Sequence, residues 1–432
     1  MESLRYESNQ RIKNHRRYLE EKERRASVAT KERERRREKE ADVEESKEKT
    51  SRKKKHRFKL FSVRDGMDMP FFFLVLTLLV IGIVMMFSAS YAFAYYTTDS
   101  SYYFLIRQAI FAVVGVGLMI LVSFFDYHHF HRLAIIVLGI AYFLLVLVLF
   151  LPSVNGVHRW IGLGIFSIQP SEILKFAIIL FYAHWASIYF EKMDTLKYGV
   201  LPALVVGVPA LALLALEPHF SCIVIIVLLL AVMMWVSGVK IRWFAIGIAL
   251  IVLAFGVMYI TDSLQYAMER LDGWGMALEE DLSADMQATV WQTMNSLYAI
   301  GSGGLTGLGL GQSREKYLYL PEPQNDFVFA VVIEEIGLIG GIVILVFFAL
   351  FVWRGIMISL RAKDRFGMFL GVGLVSQVGL QVVLNILVIT DTLPNTGISL
   401  PFFSYGGSSL VMLLVQMGIV LSISRNSNIN KT

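Results

Sequence analysis

Cysteine and charge are what this sequence has least of. Its one cysteine, Cys222, lies in an apolar run, which excludes a disulfide framework, a Cys-based zinc site and an internal redox pair. Only 17% of the 432 residues are charged, where a soluble domain carries roughly 25%. With 56% hydrophobic residues and a mean hydropathy of +0.58, that deficit points to a lipid-facing surface. Positive charge is also missing from the body of the chain. Residues 1–65 hold 23 Lys+Arg against 14 Asp+Glu, net +9, which leaves 17 against 21, net −4, for the remainder. The composition excludes an ordinary cytosolic enzyme and a secreted disulfide protein. The pI of about 9.0 belongs to a tail.

That tail, residues 1–65, reads as a cytoplasmic arm, a disordered segment or a charged helix. KERERRREKE (31–40) alternates charge signs without an apolar stripe to bury. RKKKHRFK (52–59) stands just ahead of the first apolar segment. It suits either attraction to anionic headgroups, at about 1 kcal/mol per basic residue, or a disordered topogenic tail. Phe58 alone stands among the basic residues of that run, short of the interleaved aromatics that base stacking requires, so no nucleic-acid partner is expected. A cleavable signal peptide is not expected either.

Apolar runs of spanning length, about 20 residues each, fall at 69–90, 104–125, 132–151, 171–189, 199–216, 219–236, 242–261, 327–353, 366–388 and 405–424. The expected fold class is an all-α polytopic membrane protein of ten transmembrane helices with both termini cytoplasmic. Only Glu217, Pro218 and His219 separate the fifth and sixth runs, so loop charge must arbitrate. Inside loops then hold Arg132, Lys192, Lys197, Lys240, Arg242, Arg354, Arg361, Lys363, Arg365, Arg425 and Lys431. Outside loops hold only Arg159, Arg270, Arg314 and Lys316. This positive-inside bias survives on both sides of the doubtful hairpin. Residues 262–326 form one large extracellular loop between helices 7 and 8, and a loop of that length is functional or disordered. Trp291, Met294, Leu297, Tyr298 and Ile300 give its middle the look of an interfacial amphipathic helix. No internal repeat stands out, which weakens an inverted-repeat transporter reading.

Ionisable groups at span edges are costly and therefore functional candidates. Asp326 sits where the eighth span begins, and Glu172 and Lys175 lie three residues apart in the first turn of the fourth. Arg159 and Trp160 precede that span, Glu334 and Glu335 follow Asp326, and Asp391 opens the last outside loop. By this topology all face the outer leaflet. Arg and Lys suit a diphosphate, and a shielded carboxylate can serve as a general base. Glu172 with Lys175 is also explicable as a structural ion pair, and Asp326 equally fits an N-cap. GSGGLTGLGLG (301–311) invites a phosphate-cradle reading, with a tightly turned re-entrant segment as the plainer account. Polar groups appear concentrated on the outer side, whereas a transporter should carry them through the midplane.

HRWIGLGIFSIQPSEILK (158–175), AIGSGGLTGLGLGQSREKYLYLPEPQNDFVFAVVIEEIG (299–337) and DTLPNTGISLPFFSYGGSSL (391–410) resemble, in order, three long motifs of the SEDS proteins, the FtsW/RodA/SpoVE group. The resemblance covers residues 65–425, a transmembrane domain (66–425) followed by a short cytoplasmic tail (426–432). The Asn325–Asp326–Phe327 context and PFFSYGGSS look closer to the FtsW/SpoVE branch. It implies a peptidoglycan glycosyltransferase that polymerises lipid II at the outer face of a bacterial cytoplasmic membrane. Division or sporulation-type wall synthesis would be served, with a class B penicillin-binding protein and other divisome proteins as partners. The family's essential aspartate falls on Asp326. Supporting substrate-binding positions fall on Arg159, Trp160, Glu172, Lys175 and Glu322. On this resemblance Asp326 is the general base for the acceptor hydroxyl, a ligand for a divalent cation (Mg or Mn), or both, and no organic cofactor is expected. A lipid II flippase and a non-catalytic scaffold are the alternatives. One departure stands out. Many members carry Gln-Pro-Asp-Leu-Gly where this chain has Glu217-Pro218-His219-Phe220-Ser221, which removes an acidic group and makes His219 a candidate for local pH sensitivity.

Overall fold

The computed structural model describes residues 66–152, 158–163, 166–247, 249, 273–279 and 281–427. The basic arm, most of the seventh expected span, Arg270 and Lys431 lie outside the described residues. The other nine expected spans are all helices. We number the described helices α1 (Met69–Thr98), α2 (Tyr103–Phe124), α3 (His128–Leu149), α4 (Pro170–Tyr189), α5 (Leu201–Leu216), α6 (Phe220–Val236), α7 (Ala284–Gly303), α8 (Val328–Leu360), α9 (Arg365–Ile389) and α10 (Gly407–Arg425). Among the described residues, eight helical segments are long and apolar enough to cross a membrane, and α6 is a shorter apolar helix.

Their ends are chemically marked. Asp68 caps α1 by accepting from Phe71 N at 3.0 Å, and Asp364 caps α9 by accepting from Gly367 N at 3.0 Å. Pro170 starts α4, where a missing N–H costs nothing. The same two caps tie helices together. Arg354 of α8 donates twice to Asp68, at 3.0 and 2.6 Å, and Tyr127 donates to Asp364.

Two departures from the expected all-α bundle matter. Ile161–Leu163 (β1) pairs antiparallel with Phe166–Ile168 (β2), Gly162 opposite Ser167, so the segment before α4 is a short ribbon. Helix α8 is broken at Gly337, where φ is 75° and ψ 175°, a conformation that glycine alone adopts readily. Non-helical backbone is tolerated at this depth only where other protein groups satisfy it. Here the glycine-rich loop does so. Leu338 N and Ile339 N donate to Gly304 O and Leu305 O at 2.9 and 3.1 Å, while Leu308 N and Gly309 N donate to Glu334 O and Glu335 O at 2.9 Å. A Cβ on Gly337 would collide with the backbone of residues 305–307.

The helix expected in the middle of the long loop exists as α7, but its packing face is not the large apolar one. Val290, Thr293, Ser296, Ala299 and Gly303 are buried, whereas Trp291 and Tyr298 are exposed. Small side chains let α7 approach α8 closely.

Candidate active site

The segment Gln324–Asn325–Asp326 is held from three directions. Asn385 of α9 donates from Nδ2 to Asp326 O and to Ile398 O, both at 2.7 Å. Ser404 Oγ donates to Asn325 O at 2.8 Å, and Tyr405 N donates to Gln324 O at 2.8 Å. Buried Gln108 of α2 secures the Ser404–Gly406 turn in its own right, donating to Ser404 O and accepting from Gly406 N, each at 3.3 Å. Gly397, at φ +74°, passes beside the aspartate so closely that a Cβ there would lie 3.0 Å from Asp326 Oδ2. The N-capping reading of Asp326 does not hold, because α8 begins at Val328 with Phe327 at the cap position and no side-chain cap bond.

Asp326 opens into a cavity of about 520 Å³. Arg159, Trp160, Glu172, Lys175 and Glu322 line the same cavity, so the six positions that the family resemblance points to meet at one place despite lying up to 167 positions apart, whereas Glu334, Glu335 and Asp391 are not in its lining. Lys175 Nζ donates to Glu172 Oε1 at 2.8 Å, with the lysine almost fully buried. Asn325 Nδ2 donates to Glu322 Oε2 at 2.7 Å. Arg159 donates to Glu217 O at 3.2 Å and to Pro218 O, so its guanidinium buttresses the α5–α6 turn while lining the cavity. Burial, with the nearby negative charge of Glu322, pushes the Asp326 carboxyl up to about 6, against the opposing pull of Arg159.

Several lining residues were missed from the sequence. Arg107, inside the second span, adds a cation, and its guanidinium stacks 4.4 Å from the Tyr103 ring centroid. Gln377, Gln381 and Gln416 also line the cavity. The first two sit on one face of α9 with Asn385, in the spacing Gln-x3-Gln-x3-Asn. That spacing was the available signal. These amides correct the expectation that polar groups stay on the outer side, since Gln377 and Gln416 stand at mid-length in α9 and α10. No lining residue lies beyond them in either helix. The cavity is a dead end among the described residues.

Glu334 and Glu335 take no part in it. Glu334 accepts from Ser313 Oγ at 2.5 Å and Arg314 N at 2.8 Å. Glu335 accepts from Lys316 Nζ at 2.8 Å and from Ser88 Oγ at 2.7 Å. The glycine-rich loop likewise has N–H groups committed, Gly307 to Gly303 O and the next two to α8. The phosphate-cradle reading therefore fails, and the segment is a lock on the broken helix.

The divergent turn between α5 and α6 places Glu217, 1% exposed, with neither carboxylate oxygen partnered, and His219 with Nδ1 unpartnered. Burial, then the positive charges of Arg159 and Lys175, hold His219 down to about 3. It is neutral throughout the physiological range, so the pH sensitivity expected of it moves to Glu217. Burial pushes Glu217 up to about 7, opposed by Arg159. Because the folded value lies above the ordinary 4.5, ionisation destabilises the fold as pH rises from about 4.5 through 7. Glu217→Gln should accordingly stabilise the protein by up to about 3 kcal/mol at pH 8. At pH 4.5 the two should unfold nearly alike. Thermal unfolding at both pH values checks this, and equal stability at pH 8 would refute it.

Among the described residues, no three His, Cys, Asp or Glu side chains converge as a protein-only metal cage. Of the three carboxylates that line the cavity, Glu172 is paired with Lys175, and Asp326 and Glu322 are hard oxygen donors. They fit a magnesium-type ion, which keeps waters and shares one or two carboxylates with substrate phosphates.

A profile of the family described as "Cell cycle protein", FtsW/RodA/SpoVE, matches residues 69–429. Stage V sporulation protein E of Bacillus subtilis (strain 168) is 41% identical over 364 residues, 83% of this chain and 97% of that protein. A probable peptidoglycan glycosyltransferase FtsW of Trichlorobacter lovleyi is 36% identical over 362 residues, 83% and 93% of the two chains. Among solved structures, a chain of a peptidoglycan synthase complex that coordinates polymerization and crosslinking superposes with a TM-score of 0.68. It is 25% identical, with 84% of this chain and 99% of that one covered. The rod shape determining protein RodA of Thermus thermophilus superposes with a TM-score of 0.61 at 25% identity, covering 84% and 98%.

Proposed function

Because the chain belongs to the FtsW/RodA/SpoVE family of SEDS proteins, we propose that it is a peptidoglycan glycosyltransferase polymerising lipid II into β-1,4 glycan strands, with the cavity around Asp326 as its active site. The observation that carries the reading is the convergence of one shielded carboxylate with Arg107, Arg159 and Lys175 in a single dead-end cavity. The chain spans the membrane ten times with both termini inside, and the cavity opens on the outer face. Loop charge supports that orientation, because the loops on the Asp326 side carry few basic residues. Among the described residues the cavity's lining stops at mid-length in α9 and α10, which favours an enzyme over a flippase, whose polar groups should continue to the inner face.

In the reaction, the 4-hydroxyl oxygen of the acceptor's GlcNAc attacks the anomeric carbon of the donor's MurNAc. The bond from that carbon to the diphosphate oxygen breaks, and undecaprenyl diphosphate leaves with the electron pair. Asp326 accepts the hydroxyl proton, and a carboxyl near 6 is mostly ionised at neutral pH while basic enough to take it. Lys175, oriented by Glu172, and Arg159 stabilise the charge that grows on the diphosphate. Inversion needs one displacement and one base, unlike the carboxylate pair of a retaining hydrolase. A divalent cation held by Asp326 and Glu322 would neutralise diphosphate charge. A class B penicillin-binding protein is the expected membrane partner, supplying crosslinking to the strands made here.

The test is purified full-length protein, alone and with its cognate penicillin-binding protein, given labelled lipid II. Glycan polymer is expected, and its absence in both arms overturns the reading. In the same assay EDTA should cut the rate at least about tenfold, with recovery on added Mg or Mn. An unchanged rate in EDTA removes the cation from the proposal and leaves the base in place.

A further inference from the structure

We propose that Gln377, Gln381 and Gln416 form an uncharged amide subsite, at the deep end of the cavity, that recognises an N-acetylated sugar of the lipid-linked substrate. The inference rests on the glycosyltransferase reading and deepens it, because nothing in that reading needs amides at mid-helix.

Gln377 is 2% exposed and Gln416 1%, and the Oε1 atom of each has no hydrogen-bond partner although both residues line the cavity. An unpaired buried amide oxygen is costly, and more so in an apolar surround. As packing residues in membrane helices, leucine or methionine would serve better. Asn385, two turns from Gln377 on the same face of α9, spends its Nδ2 on Asp326 O and Ile398 O, while its Oδ1 is unpartnered like the glutamine oxygens. The ladder runs from a rung that holds the candidate base to rungs that line the cavity. From Asn385 to Gln377 the helix rises about 12 Å.

The chemistry of the deep end selects the ligand. The cavity's charges, Arg107, Arg159, Glu172, Lys175, Glu322 and Asp326, lie in or beside the first turns of helices or in loops. The amides stand beyond them among apolar neighbours such as Ile225, Leu410 and Leu413. A primary amide offers an acceptor oxygen and two N–H donors. Its complement is a neutral group that also carries both. An acetamido group pairs its N–H with a glutamine Oε1 and its carbonyl oxygen with a glutamine Nε2, and ring hydroxyls supply the remaining partners. A diphosphate would take the Nε2 donors and leave each Oε1 unpaired, and a prenyl chain would leave every amide unpaired. Buried polar groups of this kind reject a ligand lacking the complementary group.

The experiment measures equilibrium binding to the full-length protein in nanodiscs, without turnover, for three probes. These are the lipid-linked disaccharide, undecaprenyl diphosphate without sugar, and a lipid-linked disaccharide bearing hydroxyls in place of both acetamido groups. Gln377→Met and Gln416→Met, close in length and apolar, should each weaken the first probe by about tenfold and leave the sugar-free probe unchanged. Equal losses for both probes, or none, overturn the subsite and make the ladder packing or water-binding. If either variant does not fold, the wild type decides, since it should bind the acetamido disaccharide at least about tenfold tighter than its hydroxyl counterpart. Equal affinity overturns the proposal. Wild-type protein that binds none of the probes would defeat the glycosyltransferase reading and the subsite together, whereas binding without acetamido preference defeats the subsite alone.

Discussion

Asp326→Asn should lower the rate of glycan polymerisation by about 10²- to 10⁴-fold, the usual worth of a positioned general base, while donor binding changes only a few-fold. Asparagine keeps the shape and so keeps the contacts that place the segment. Those contacts are to the backbone: Asn385 to Asp326 O, Ser404 to Asn325 O and Tyr405 N to Gln324 O. The amide fits beside Gly397 as the carboxylate does. What it loses is the ability to accept a proton and the negative charge that a cation would share. The measurement pairs initial rates with donor binding on the same preparation. A variant polymerising within a factor of a few of wild type would remove Asp326 as the base. Weakened binding with an intact turnover rate would reassign it to substrate attachment.

Lys316→Met should destabilise the fold by about 3–5 kcal/mol, because it strands a buried carboxylate. Lys316 and Glu335 form an ion pair at 2.8 Å with side chains 3% and 0% exposed, and Ser88 of α1 donates to both glutamate oxygens. The pair joins α1, α8 and the loop that leads to Asp326. Adding Glu335→Gln should restore most of the loss, since a neutral pair no longer leaves a charge out of water. Denaturant or thermal unfolding in detergent reads both variants. If the single substitution costs less than about 1 kcal/mol, in the range of an exposed pair, the cluster is not the lock described here.

Much of the architecture was legible in the sequence because lipid imposes a simple rule. Spans must be long and apolar, and nine of the ten expected ones are helices among the described residues. The candidate site was legible through cost, since a charge at a span edge has to be compensated, and Asp326, Arg159, Glu172 and Lys175 stood out for that reason. Glutamine carries no charge, so Gln377, Gln381 and Gln416 raised no such alarm in runs that still read as apolar. Arg107 was hidden likewise, one cation just inside a long hydrophobic segment. Charge alone also misled. Glu334 and Glu335 look as functional as Asp326 from position, yet they bind Ser313, Arg314 and Lys316.

The sequence by itself determined that this is a membrane protein and which family it resembles. These follow from local composition, additive along the chain. Only the tertiary structure decided which charges meet. Arg159 could reach the backbone of residues 217 and 218 only once the short ribbon and the α5–α6 turn were brought together. The glycine-rich loop became a lock only because α8 breaks at Gly337 and frees backbone groups that need partners. Burial, too, belongs to the assembled fold. It lifts Asp326 to about 6 and Glu217 to about 7 and holds His219 neutral, because desolvation depends on what packs around a group and not on its neighbours in the chain.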